Sequence, residues 1–365
     1  MKKTVALLII LSSLFALFAC GEKYPAEKSS DEESTVLFTV TADGVEYEVK
    51  YELYRALFLA HKSEVDGGDD SVWSDDGKEE YVERINEIII PKIADIFATI
   101  RLAEKIGVDF SSKSVKETVE GFITDSIEGG AYADGIVEGH GSYEKYLEAV
   151  KKSGHTYNSH LLLYHYAIAQ SEISKYYIGT LNEDNLVPGA TPGNLEYTEE
   201  DVLAFYESED CVRVLHAFVP SYIGSERADE IREAMYQATD ENAVGLVIVQ
   251  NTTASGEDGF GGMVIGKHSL AVNHYGELTE AAFSLSLGAV SRVIEISTVW
   301  DNGYHVLYRA EKSEEHYEEY YPSVLEAYLN HEIGKLISSL TEQITESIEF
   351  TSAYEGLSHG DISID

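Results

Sequence analysis

The chain is poor in cysteine and in basic residues, and each shortage closes a possibility. Only Cys20 and Cys211 occur among 365 residues. A framework of several disulfides is excluded, and so is a four-cysteine zinc site. Twenty-six lysines and arginines face 65 acids, a formal charge of −39. So acidic a surface is repelled by nucleic acid and by anionic lipid, so no nucleic-acid partner is expected. Intact signatures of common chemistries are also missing. Gly261-Gly262-Met263-Val264-Ile265-Gly266-Lys267-His268 approaches a phosphate loop, but His268 stands where a magnesium-binding Ser or Thr is required. His331-Glu332 begins like a zinc-protease helix, yet Lys335 holds the second histidine position. His160 and His165 are five apart, off one helical face, and no G-x-S-x-G elbow occurs. No nucleotide, metal or other cofactor is expected.

What is present is enough for real cores: 44% hydrophobic residues, and length for about two domains. Lys2 and Lys3 open the chain, residues 5–18 are almost wholly apolar, and small Ala19 precedes Cys20. Such a run falls short of the ~20 apolar residues of a spanning helix. It suits the centre of a cleaved signal. Leu17-Phe18-Ala19-Cys20-Gly21 resembles the bacterial lipobox, apart from Phe18, where a small residue is usual. The expectation is a lipoprotein signal peptide over 1–19 and lipidation at Cys20, which anchors the protein to the cell membrane on its extracytoplasmic side. Loss of the two lysines takes the charge to −41, so attachment rests on the lipid and needs more than one acyl chain. Residues 20–35 are polar and read as a tether. Cys211 is then partnerless and reads as a small buried hydrophobe.

Residues 36–50 alternate around Asp43-Gly44, a hairpin signal. Residues 51–64, 78–107, 114–125, 142–153 and 157–178 carry helical spacing, with Pro91 expected to kink or split the second. Glycines at 129–130 and 139–141 read as separators. Together 36–185 form a helical domain with an N-terminal hairpin. Pro188, Gly189, Pro192 and Gly193 mark a boundary, and Thr198 caps a short helix, so 186–210 are linker and helix. Over 211–312 follow a strand at 211–219, a helix at 225–239, an ambiguous apolar run at 242–249 and a glycine-rich loop at 251–262. A helix at 277–285 and strands at 289–297 and 304–310 complete it. This order is α+β. Residues 313–348 form a long amphipathic stretch expected to pack back on the amino-terminal helices, and 349–365 are left as a tail.

The informative residues lie between 211 and 311. Arg213-Val214-Leu215-His216-Ala217-Phe218 forms one strand and Asn302-Gly303-Tyr304-His305-Val306-Leu307 opens another. Between them stand Gly261-Gly262 and the passage from Ala281-Ala282-Phe283 through Leu285 and Gly288 to Val290-Ser291. These segments resemble the parvulin-type peptidyl-prolyl isomerases, with their "R-x-x-H-I-L", "G-G-D-L-G", "A-A-F-x-L-x-x-G-x-V-S" and "G-Y-H-I-I" segments. The layout resembles exported foldases of the PrsA and SurA kind. That resemblance implies a parvulin-like domain inserted in a mostly helical, SurA-N-like chaperone domain built from both chain ends. It implies cis/trans isomerisation of X–Pro bonds in unfolded or newly secreted polypeptides. His216 and His305 match the family's paired histidines, which hydrogen-bond across the floor of the site, and Asn302 a nearby polar position. Leu278 and His274 fall where the proline pocket has an aromatic and a Met, beside Phe283. Asn251 or Thr252 falls near the residue facing the imide. Met263 replaces the Asp of the glycine loop.

Two other functions compete. A holdase would bind unfolded chains through the helical domain while the isomerase site is degenerate. A solute-binding lipoprotein would need two α/β lobes flanking a cleft, against which the long helices at both ends argue.

Overall fold

The computed structural model describes residues 23–73, 78–132, 135–179, 193–252, 261–269, 272–297 and 302–363. The signal, Cys20, most of the 186–197 boundary and most of the 251–262 loop lie outside the described residues. The chain divides into two compact units. The first takes residues up to Glu172 and resumes at Ser339, and the second runs from Ile173 to Ser338.

In the first unit, β1 (Val36–Ala42) and β2 (Val45–Lys50) form the expected antiparallel hairpin. Its two-residue turn places Asp43 and Gly44 at φ 52° and 75°. Two consecutive positive φ values are the type I′ geometry that matches strand twist and suits Asp-Gly. Then follow α1 (Tyr51–Asp66) and α2 (Lys78–Lys105). α2 is one unbroken helix across Pro91, so the helix is not split there. Pro91 and Glu87 are both exposed, so water can solvate the carbonyl that the proline leaves without a donor. α3 (Lys113–Glu128) leads into a second hairpin, β3 (Gly129–Tyr132) with β4 (Gly135–Glu138), where the glycines had read only as separators. α4 (Tyr143–Lys152) and α5 (Tyr157–Tyr177) follow.

Two further expectations change here. Residues 23–35 do not hang free. Tyr24 bonds Thr124, the Pro25 carbonyl accepts from Tyr143, Glu27 pairs with Lys151, and Ser29 donates to buried Glu52. Satisfying Glu52, which also accepts from Thr156, gives this strap a reason to dock. Nor are residues 349–365 a tail. After the long carboxyl-terminal helix, β9 (Glu349–Phe350) pairs with β1, and buried His359 bonds the Tyr54 hydroxyl at 3.0 Å.

The second unit opens with α6 (Glu199–Glu207), capped reciprocally by Thr198 and Asp201. β5 (Cys211–Pro220) is buried along most of its length. α7 (Ser225–Tyr236) and α8 (Glu241–Asn251) follow, the latter resolving the ambiguous run as helix. β6 (Met263–Gly266), α9 (Val272–Ser284), β7 (Ile294–Ser297) and β8 (Asn302–Ala310) complete an antiparallel sheet in the order β6-β5-β8-β7. α9 starts earlier than expected and β7 is shorter. Residues 288–291 still run beside β8, through Ser291 N–H to the Leu307 carbonyl and Arg309 N–H to that of Ala289. The stretch beginning at 313 is two helices, α10 (Glu314–Glu319) and α11 (Tyr321–Glu346). Pro322 fits the break: it has no N–H to give the Glu318 carbonyl and so cannot continue α10, yet it is tolerated in the first turn of α11, where its missing N–H costs nothing.

The sheet has a helical layer on each face. Leu215, Ala217, Val219 and Val306 pack with Ile231 and Met235 of α7 and Val244 and Ile248 of α8. Val212, Val214, Ile294, Ile296 and Leu307 pack with Leu278 and Ala282 of α9. Burial on both faces is why β5 reads as a nearly continuous apolar run. Cys211 is buried in β5 and unpaired, its thiol pushed up to about 12 by burial, as a small core residue and not a nucleophile.

Candidate functional site

His216 and His305 meet on the α9 face of the sheet. In the β5–β8 ladder His216 stands opposite Leu307 and Phe218 opposite His305. The two histidines are therefore diagonal neighbours on one face, within reach of each other's rings. His216 Nε2 and His305 Nδ1 are 2.8 Å apart and the ring planes lie within 8°. A hydrogen bond between two ring nitrogens needs one donor and one acceptor, so at most one proton occupies it. His305 is only 1% exposed and His216 half-buried. Burial, and then the neighbouring His305, holds the His216 pKa below the ordinary histidine range. His216 is thus held toward its neutral form, on a face otherwise lined with apolar side chains.

Phe218 was not singled out by sequence reasoning. Its ring lies against His305, centroids 4.9 Å apart and inclined at 43°. The signal was available, because residue 218 follows His216 by the two-residue period of a strand. Gly303 has a concrete reason to be glycine. A Cβ there would run into the Phe218 ring and lie 2.6 Å from the Val219 carbonyl oxygen. The Gly-Tyr-His segment therefore lets Phe218 cross β8 and seat on His305.

Three further groups brace this region. The Ser291 hydroxyl accepts the Leu307 N–H at 2.9 Å and donates to the Arg292 carbonyl at 2.6 Å. Arg309 Nη1 donates to the Ala282 carbonyl near the end of α9, a favourable place for a cation. Arg213, 5% exposed, donates from Nε to the Gly261 carbonyl at 2.8 Å and from Nη1 to Glu241 at 2.7 Å and the Glu311 carbonyl at 2.8 Å. The same Gly261 carbonyl accepts from His316 Nε2 at 2.6 Å. That fixes the neutral tautomer, so Nδ1 of His316 accepts from the Tyr206 hydroxyl at 2.9 Å. The Gly261 carbonyl is thus held by two donors. Residues 263–266 form a strand, not a phosphate-cradling loop.

The other expected site residues are placed differently. Leu278 is 3% exposed, inside the core between α9 and the sheet. Phe283 packs half-buried at the edge of that core. Thr252 ends α8, where its hydroxyl donates to the Ile248 carbonyl, and α8 packs on the opposite face of the sheet. Asn251 accepts from Arg227 across the α7–α8 pair. Asn302 pairs through its backbone with Ser297. The side chains of Asn302 and His274 lie outside the described residues. His160 lies among the rings of Tyr146, His155 and Tyr164, and His165 lies against Phe110, both half-buried.

Among solved structures, the chain is similar to the foldase protein PrsA from Streptococcus pneumoniae, at 16% identity and TM-score 0.30, over 76% of this chain and 92% of that one. It is similar to the foldase protein PrsA from Lactococcus lactis at 14% identity and TM-score 0.22, over 90% and 100%. A third is the peptidylprolyl isomerase PrsA from Bacillus cereus, at 16% and 0.23, over 74% and 86%. No protein-family model matches the chain, and no curated protein does.

Proposed function

We propose that this protein is an extracytoplasmic foldase, anchored by lipid on Cys20, that isomerises X–Pro bonds in unfolded secreted chains. In this reading a parvulin-like domain over 211–312 is inserted in a chaperone domain made from both chain ends. The observation that carries it is the 2.8 Å bond between His216 and His305 on an apolar sheet face, where the resemblance expects paired histidines.

The reaction asks little of side chains. Rotation about X–Pro is opposed by a resonance barrier of about 18–20 kcal/mol, and the twisted imide has lost that resonance. A site needs only to bind the twisted form better than the planar one. The half-buried, neutral His216, backed by His305 and Phe218, offers a rigid, weakly polar surface, which disfavours the charge-separated planar amide. No proton transfer to solvent is required, and the depressed His216 pKa suits a neutral role.

One observation favours the second reading, a holdase with a degenerate isomerase site. Leu278, expected to line a proline pocket, is instead packed in the core. The two readings separate in a prolyl-isomerase assay on a proline peptide, run beside an aggregation-suppression assay. The foldase reading expects catalysis that falls at least tenfold in His305→Ala while suppression persists. Suppression with no catalysis by the parent protein would refute the foldase reading and leave the holdase. The solute-binding alternative loses its ground, because the described sheets of the first unit are small and antiparallel.

A further inference from the structure

We infer that the first unit is held directly against the lipid surface by its strap, not suspended on a flexible leash. The inference rests on the anchored reading of Cys20. Free, residues 20–35 would reach about 50 Å when extended. The contacts of residues 23–29 remove most of that length. Lys23 donates from its N–H to Glu120 and from Nζ to the Thr124 hydroxyl, which Tyr24 also bonds. Pro25 and Glu27 fix the next turn to α4, and Ser29 is locked between Asn158 and Glu52. Only residues 20–22 stand between the expected lipid and the first fixed residue. Three residues span about 10 Å at most. The surface around Lys23, Thr124 and Tyr143 must then lie at the headgroups.

The chemistry of that surface agrees. Residues 23–28 with α3 and α4 hold seven of the 26 basic residues and seven of the 65 acids. This patch is neutral in a chain of net charge −39, so the strap lands where repulsion from anionic headgroups is least. Tyr24 and Tyr143, half-buried with ring centroids 5.1 Å apart, sit beside the landing point, and Lys23 Nζ lies 5.0 Å from the Tyr24 ring. Tyrosine and lysine are the side chains favoured at a membrane interface.

The test uses the full lipidated chain on vesicles of phosphatidylcholine with a minority of phosphatidylglycerol. A fluorophore is placed on Lys145→Cys or, separately, Glu117→Cys, both at exposed positions. The lipid blocks Cys20 and burial protects Cys211, so only the new thiol reacts. Headgroup-attached quenchers should quench both labels, with a several-fold loss when a twenty-residue Gly-Ser linker is inserted between Glu22 and Lys23. Absent quenching in the parent, or equal quenching with and without the linker, overturns the inference while lipidation stands. Mass spectrometry that finds no lipid on Cys20 refutes the anchored reading itself, and this inference with it.

Discussion

Replacing Gly303 by alanine tests the packing beneath the histidine pair. The added Cβ enters the Phe218 ring and sits 2.6 Å from the Val219 carbonyl oxygen. Phe218 can swing, but a strand carbonyl cannot. Gly303 is paired on both sides, with Pro220 of β5 and Ile296 of β7, so β8 has no direction in which to step aside without straining a ladder. Overpacking of this kind costs about 1–3 kcal/mol. The expected result is an unfolding free energy lowered by that amount, read as a fall in the urea midpoint with the slope of the transition unchanged. Displacing Phe218 also frees one side of His305, so on the proposed foldase reading isomerisation should fall by more than the loss of stability accounts for. The double variant Gly303→Ala/Phe218→Leu apportions the cost. Partial recovery, with an interaction energy above about 0.5 kcal/mol, identifies the ring as the main obstacle, and no recovery identifies the carbonyl. A loss below about 0.5 kcal/mol in Gly303→Ala would refute the close approach altogether.

Two other substitutions probe separate parts of the argument. Arg213→Lys should lose about 1–3 kcal/mol by urea unfolding, because one ammonium cannot reach Gly261, Glu241 and Glu311 together as the planar guanidinium does; a silent substitution would mean the bridge is not structural. In the first unit, burial holds His155, His160, His165 and His359 down to about 4. Folding thus favours their neutral forms, and the stability this supplies above the unfolded value of about 6.5 is lost as pH falls from there toward 4. Each group can contribute a slope of at most about 1.4 kcal/mol per pH unit. His165→Phe should flatten the loss between pH 7 and 5 relative to the parent, since relief of carboxylate repulsion is common to both proteins; parallel curves would exclude burial of His165 as a cause.

Periodicity and turn chemistry make much of each unit legible in the sequence. Asp43-Gly44 specified its turn, the helical stripes of α1 to α5 showed through, and Thr198 with Asp201 announced α6. What stayed hidden depended on partners distant in sequence. Glu52 is one acid among 65 until Ser29 and Thr156 are seen on it, so nothing local could distinguish a docked strap from a tether. β9 is two residues long, too short for any period, and exists because β1 offers it an edge.

The candidate site divides along the same line. The histidine pair was named through the resemblance to the parvulin segments; spacing alone does not say that β5 and β8 pair, and it is their antiparallel ladder that makes diagonal neighbours of 216 and 305. The place of Leu278 was not legible, because position along a helix states which face a residue shares but not whether that face closes on the sheet or opens to substrate. The core of Val212, Val214, Ile294 and Leu307 is large enough to draw Leu278 in. Burying it stabilises the unit by about 1.5–3 kcal/mol relative to exposure, a gain that a working proline pocket at this position would have to forgo. Leu278→Ala therefore separates the two when stability and catalysis are read together. If Leu278 only packs, the variant loses about 2–5 kcal/mol of stability and gains no turnover. If the core opens for substrate, it loses catalysis in proportion to how poorly it holds the ring, and a proline peptide bound to the parent should shield the α9 amides from hydrogen exchange.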